Sequence, residues 1–136
     1  MKQMIVFAAL SLSCCAAQTC FSYGTVTLMG SLAQRNEAGY EQYTVLLTDQ
    51  PVCTIAESAF TSAESGLREI QSFNVGQGAA GDAIRDRLSR LPGQRVTIRG
   101  QSMHASTGYH KTTVLLDVQQ VEPLTVARCC WRRELR

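Results

Sequence analysis

The residue types best suited to chemistry gather in one short stretch, Met103-His104-Ala105-Ser106-Thr107-Gly108-Tyr109-His110-Lys111. His104 and His110 are the two histidines of the chain, and Tyr109 and Lys111 flank the second. Two imidazoles can hold a metal weakly, but a stable site needs further ligands and no third can be named. A nucleophilic mechanism needs a base within reach of a Ser or Cys, and no Gly-x-Ser-x-Gly turn is present. The plainer assignment is structural: Tyr109 packs on the end of the fold, and His110 satisfies a backbone group. Exposed loops on a rigid scaffold still carry most grafted binding groups. His104, Tyr109, His110 and Lys111 are therefore the binding candidates. No catalytic residue, metal or cofactor is assigned.

Other patterns carry less. The carboxylate pairs Glu64/Glu69 and Asp82/Asp86 lie in segments that read as solvated surface. Gly76-Gln77-Gly78 and Gly81 lack the lysine that a phosphate-binding loop places after its glycines, so they read as a connector. Nucleic-acid binding wants aromatic platforms along a basic groove. Here the aromatics are scattered, and Gln18 to Ala127 holds eight Lys/Arg against ten Asp/Glu. Nucleic acid is not an expected partner.

The chain opens with Met1-Lys2-Gln3, an apolar run from Met4 to Leu12, and then small residues. One charge, a short apolar run and small residues are the marks of a secretory signal, and the run is too short to span a membrane. Residues 1–17 are read as that signal, cleaved near Ala17. Cys14 or Cys15 could take a lipid by position, but the residues before them fit poorly, so a soluble periplasmic or secreted protein is expected over a lipoprotein. The remaining residues, about 119, amount to one domain with one modest core. Residues 18–124 are assigned to it. Residues 125–136 form a basic tail with Arg128, Arg132, Arg133 and Arg136. Contact with a membrane is expected only through a lipid or through this tail.

The mature chain keeps Cys20, Cys53, Cys129 and Cys130, which should be oxidised outside the cytoplasm. Four cysteines allow three pairings, and the sequence does not choose among them. Cys20–Cys53 is the favoured pair. It would tie the mature N-terminus to a strand by closing a loop of about 34 residues, worth roughly 3–4 kcal/mol. Cys129 and Cys130 are neighbours, and a bond between neighbours is strained. They are the candidates for a second or an intermolecular disulfide. Zinc is the weaker reading, since no Cys-x-x-Cys is present.

The elements that must position these groups read as mainly β. Val26, Leu28, Gly30 and Leu32 alternate on a first strand, in which Gly30 suggests a bend or bulge. Gln42 to Thr48 forms a second strand, ended by the turn Asp49-Gln50-Pro51, and Val52 to Ile55 a short third. Leu67 to Val75 alternates weakly as a candidate extra strand. Ile84, Leu88 and Leu91 give a helix from Asp82 to Leu91, stopped by Pro92-Gly93. The strands Arg95 to Gln101 and Thr112 to Val121 follow, with Ser102 to Lys111 as their hairpin loop. The run Gly93-Gln94-Arg95-Val96-Thr97-Ile98-Arg99-Gly100, entered from a helix and leaving into a hairpin, suggests a small oligosaccharide/oligonucleotide-binding (OB) fold. The expectation is an OB-like five-stranded barrel with one helix between strands 3 and 4.

Certain segments carry a resemblance: Cys20, Val26 to Leu32, Asp49-Gln50-Pro51-Val52-Cys53, Leu91 to Gly100, and Ser106 to Val118 with its Thr-Gly-x-His-x-Thr-x-Val-Leu-Leu pattern. Together they resemble small exported bacterial OB-fold-like domains of unknown function. The resemblance covers most of Cys20 to Val121. It implies a Cys20–Cys53 bond and a non-catalytic module, and it supplies no ligand. Tyr109-His110 stands where relatives often carry paired histidines, and Cys129-Cys130-Trp131 lies outside the pattern. The function expected is an exported, non-catalytic protein-binding module of the cell envelope. An inhibitor or immunity protein against an envelope-acting toxin or hydrolase fits that description. The alternative is a barrel binding a small ligand or glycan on the face beside the Ser102–Lys111 hairpin.

Overall fold

The computed structural model describes residues 19–39, 41–56, 63–106 and 110–124. Six strands and one helix follow in the order β1 (Thr19–Ser22), β2 (Gly24–Arg35), β3 (Tyr43–Ile55), β4 (Leu67–Phe73), α1 (Gly78–Arg90), β5 (Arg95–His104) and β6 (Val114–Pro123). The fold is mainly β, as expected. The sheet has six strands rather than five, and the helix follows the fourth.

Period-two burial explains which residues face inward. Leu28 and Leu32 on β2, Leu46 on β3, Ile70 on β4, Val96 and Ile98 on β5, and Val114, Leu116 and Val118 on β6 pack into one core. Val121 joins them at an odd spacing because β6 carries a bulge. Arg99 pairs with Gln120 but Gly100 pairs with Val118, so Gln119 is the extra residue. The helix adds Leu88, with Ile84 and Leu91 packed beside it. Arg87 Nη1 donates to the Val121 carbonyl at 3.0 Å and so ties α1 to β6.

Antiparallel pairs β2–β3, β3–β4, β2–β5 and β5–β6 join a parallel pair, β4–β6. The pairing circuit returns on itself through β3–β4, so each of β2 to β6 pairs with two others of these five. The sixth strand, β1, runs parallel to the end of β3 with Cys20 opposite Cys53. Those two residues form the disulfide, with Cα atoms 4.3 Å apart.

Two local expectations are corrected, and a candidate strand is borne out. Asp49-Gln50-Pro51 does not end a strand: β3 runs through it from Tyr43 to Ile55. The register with β4 shifts between Leu47 and Val52, so the proline, which has no N–H to give, sits at an irregularity in the ladder. The weakly alternating Leu67 segment is the extra strand expected, β4, with Ile70 and Ser72 both buried. The helix begins at Gly78 rather than Asp82. The glycine-rich connector winds into it, with Gly81 buried and Asn74 Oδ1 accepting from the Gly76 N–H at 2.9 Å.

Candidate functional site

The β5–β6 hairpin does not present its polar side chains as one group. His104 is the last residue of β5 and pairs with Val114. Its Nε2 lies 3.4 Å from Glu64 Oε1, and its ring meets Tyr23 edge-on at 6.3 Å between centroids. The Tyr23 hydroxyl is 3.2 Å from the Thr54 hydroxyl, and the Glu64 N–H donates to that same Thr54 oxygen at 2.9 Å. His104 thus belongs to a half-buried polar cluster with Tyr23, Thr54 and Glu64. His110 faces its own loop, where its Nδ1 accepts from the Ser106 N–H at 3.1 Å.

Lys111 turns to the opposite face of the sheet. Its N–H donates to Gln71 Oε1 at 2.8 Å, and its Nζ lies 3.1 Å from Glu37 Oε2. Gln71 pairs with both Val45 and Leu115. Val45 and Leu115 are fully buried although they stand apart from the main core and alternate with its members Leu46 and Leu116. The base of the hairpin loop therefore lies back over the outer face of β3, β4 and β6. The Lys111 side chain is only 12% exposed, so its ammonium depends on Glu37. Tyr43 also donates to Glu37, at 3.4 Å. Burial first, and then the Glu37 carboxylate, raise the Tyr43 hydroxyl above its ordinary pKa and keep it a donor. Glu37→Gln should lower stability by about 1 kcal/mol and speed amide exchange at Lys111 and Thr112. Urea unfolding and hydrogen exchange read the two effects.

Tyr109, Cys129 and Cys130 lie outside the described residues, as do the leader and the basic tail. Among the described residues, no group of three His, Cys, Asp or Glu is gathered that could hold a metal.

A different feature stands out from the strand order. One edge of β3 belongs to β4, at Val45–Leu47 and again at Val52. The other edge is taken by β2 from Tyr43 to Thr48 and then by β1 from Val52 to Ile55. β2 meets β3 only from Gly30 onward, while Gly24–Ser31 pairs with β5. The first half of β2 and the whole of β1 therefore flank a slot, closed where Tyr23 joins them. The slot widens into a cavity of about 310 Å³ lined by Thr19, Thr27, Met29, Thr48, Gln50 and Val52. Met29 is 55% exposed there. Among the described residues, neither β1 nor Thr25–Met29 of β2 has a strand paired on the slot side. Sequence reasoning missed this site. Its one signal was an outward-facing Met29 on a strand whose neighbouring outward positions, Thr25 and Thr27, are polar.

No curated protein matches the chain. Residues 79–122, which span α1, β5, the hairpin loop and most of β6, match a family described as a domain of unknown function, DUF4431.

Proposed function

We propose that this chain is an exported, non-catalytic OB-like module that binds a protein partner by taking an extended segment of it into the slot between β1 and β2. The observation that carries the reading is the pair of strand edges facing one apolar-floored slot. Strand addition uses such edges: main-chain hydrogen bonds supply affinity, and a flanking pocket selects a side chain. The cavity has room for one or two side chains, and Met29 offers a soft, adaptable contact.

The circuit of pairings supports an OB-like barrel formed by β2 to β6, with β1 added outside it. The Cys20–Cys53 bond supports an oxidising compartment and hence periplasmic or secreted residence. It also pins β1, which buries little by itself and would otherwise fray. An inhibitor or immunity role against an envelope toxin or hydrolase fits a rigid module of this kind.

The test uses mature chain as bait in non-reducing envelope extract, with mass spectrometry of what co-elutes. A stoichiometric partner should be retained by wild type and lost by Met29→Glu, because the new carboxylate would be buried without a partner on binding. Affinity should fall at least tenfold, read by titration with the purified partner. Equal capture by both proteins sinks the slot, and no capture by either sinks the protein-binding reading.

A further inference from the structure

The slot between β1 and β2 lies close to the point where the described chain ends. β6 stays paired with β5 to its last residues, Glu122 opposite Thr97 and Pro123 opposite Val96. The Leu124 N–H then donates to the Arg95 carbonyl at 2.8 Å. On the other side of β5, Thr97 pairs with Met29 of β2, and Arg95 with Ser31. Thr97 and Met29 both line the cavity of the slot. β6 runs antiparallel to β5, and β5 antiparallel to β2, so β6 and β2 share a direction. The chain therefore leaves the sheet at the Gly30 end of β2, where the cavity lies, and not at the Tyr23 end, where the slot is closed.

Residues 125–131 read Thr-Val-Ala-Arg-Cys-Cys-Trp, and Trp131 is the one tryptophan of the chain. Neighbouring strands lie about 4.8 Å apart, so the slot edge of β2 stands roughly 10–15 Å from Leu124. A chain from Leu124 to Trp131 reaches at most about 23 Å, which crosses that gap and leaves length for a turn. A segment turning back at this end runs antiparallel to β2, the direction that β3 takes beside the rest of that strand. Charge does not oppose its entry. Among the described lining residues the charged one is Asp49, which meets Arg95 at the edge. Residues 125–136 carry four arginines against one glutamate.

We infer that residues 125–131 fold back into the slot, with the Trp131 indole seated in the cavity against Met29, so that the free chain covers its own binding edge until a partner displaces the segment. The covering role rests on the slot being the partner site; the docking does not. Sulfur–aromatic contact and the large apolar surface of an indole favour this seat. A short flexible tether supplies an effective concentration on the order of millimolar, so a weak contact keeps the segment in place. A slot closed about nine-tenths of the time lowers the apparent affinity of a partner about tenfold.

The experiment excites the single tryptophan of the mature chain, disulfide intact, and titrates acrylamide. Quenching of Trp131 should be several-fold weaker in wild type than in Met29→Glu, which puts a carboxylate in the seat without touching the core. Equal quenching in the two proteins overturns the inference. So does shielding that grows with protein concentration, because the segment would then sit in a second copy. Removing residues 125–136 leaves every described residue in place, and it should raise the affinity for a captured partner about tenfold. An unchanged affinity overturns the covering role. Failure of the slot itself reads differently: Met29→Glu would then capture the partner as well as wild type does, whereas the fluorescence result needs no partner.

Discussion

Gly30→Ala and Gly100→Ala should each lower unfolding stability by about 3 kcal/mol or more, enough to leave a marginal domain largely unfolded at 37 °C. A Cβ built on Gly30 would lie 2.1 Å from the Leu47 carbonyl oxygen. One built on Gly100 would lie 2.2 Å from that of Asp117. Both obstacles are backbone, so no rotamer change relieves them, and the strands themselves must separate. Gly30 sits where β2 first takes both neighbours, Thr48 of β3 and Val96 of β5. Gly100 sits beside the β6 bulge. Both are points where the sheet bends tightly enough to bring strand backbones together. Gly39→Ala is the control. Its Cβ meets nothing within 4 Å, and its φ of +85° leaves only a conformational penalty, about 1 kcal/mol. Urea unfolding by circular dichroism ranks the three. A Gly30→Ala protein as stable as Gly39→Ala would show that the sheet can relax at this bend.

The double substitution Cys20→Ser/Cys53→Ser should lower stability by roughly 3–4 kcal/mol, because it releases a closed loop in the unfolded chain. The 33-residue separation spans β2 and most of β3, so the gain in unfolded-state entropy is substantial. The native-state effect should be local. β1 has three exposed residues and one half-buried residue among its four, so little besides the disulfide and its ladder with β3 holds it. Fraying should be fast at Thr19–Ser22 while Val96, Ile98 and Leu116 stay protected from exchange. Capture of a protein partner should fall with the loss of β1. Reductant on the wild-type chain should reproduce the result. Uniform loss of protection across β2 to β6 would instead mean that the disulfide supports the whole sheet.

Most of the mainly β character was legible from alternation. Val26, Leu28 and Leu32, or Val114, Leu116 and Val118, can bury together only on one face of a pleated strand. The helix was legible from Ile84, Leu88 and Leu91, though its first turn was not, since Gly78-Ala79-Ala80-Gly81 has no periodic apolar signal. Asp49-Gln50-Pro51 misled for a physical reason: turn-forming residues also suit a strand irregularity, and only the flanking pairings tell the two apart. β1 was invisible because four mostly exposed residues carry no burial pattern.

The candidate sites divide in the same way. The hairpin residues drew attention by chemical type, but their directions are set by strand alternation and by partners far away in sequence. His104 ends a strand and meets Glu64 and Tyr23, whereas Lys111 crosses to Glu37. The slot needs β1 and β2 to diverge along β3. By itself the sequence determined the secondary-structure class, the core stripes, and the groups able to do chemistry, because these follow from local period and side-chain type. Only the tertiary structure decided which strand edges remain open and where the polar groups of the hairpin point. Both depend on long-range pairing, in which one bulge or one close backbone approach redirects every residue after it.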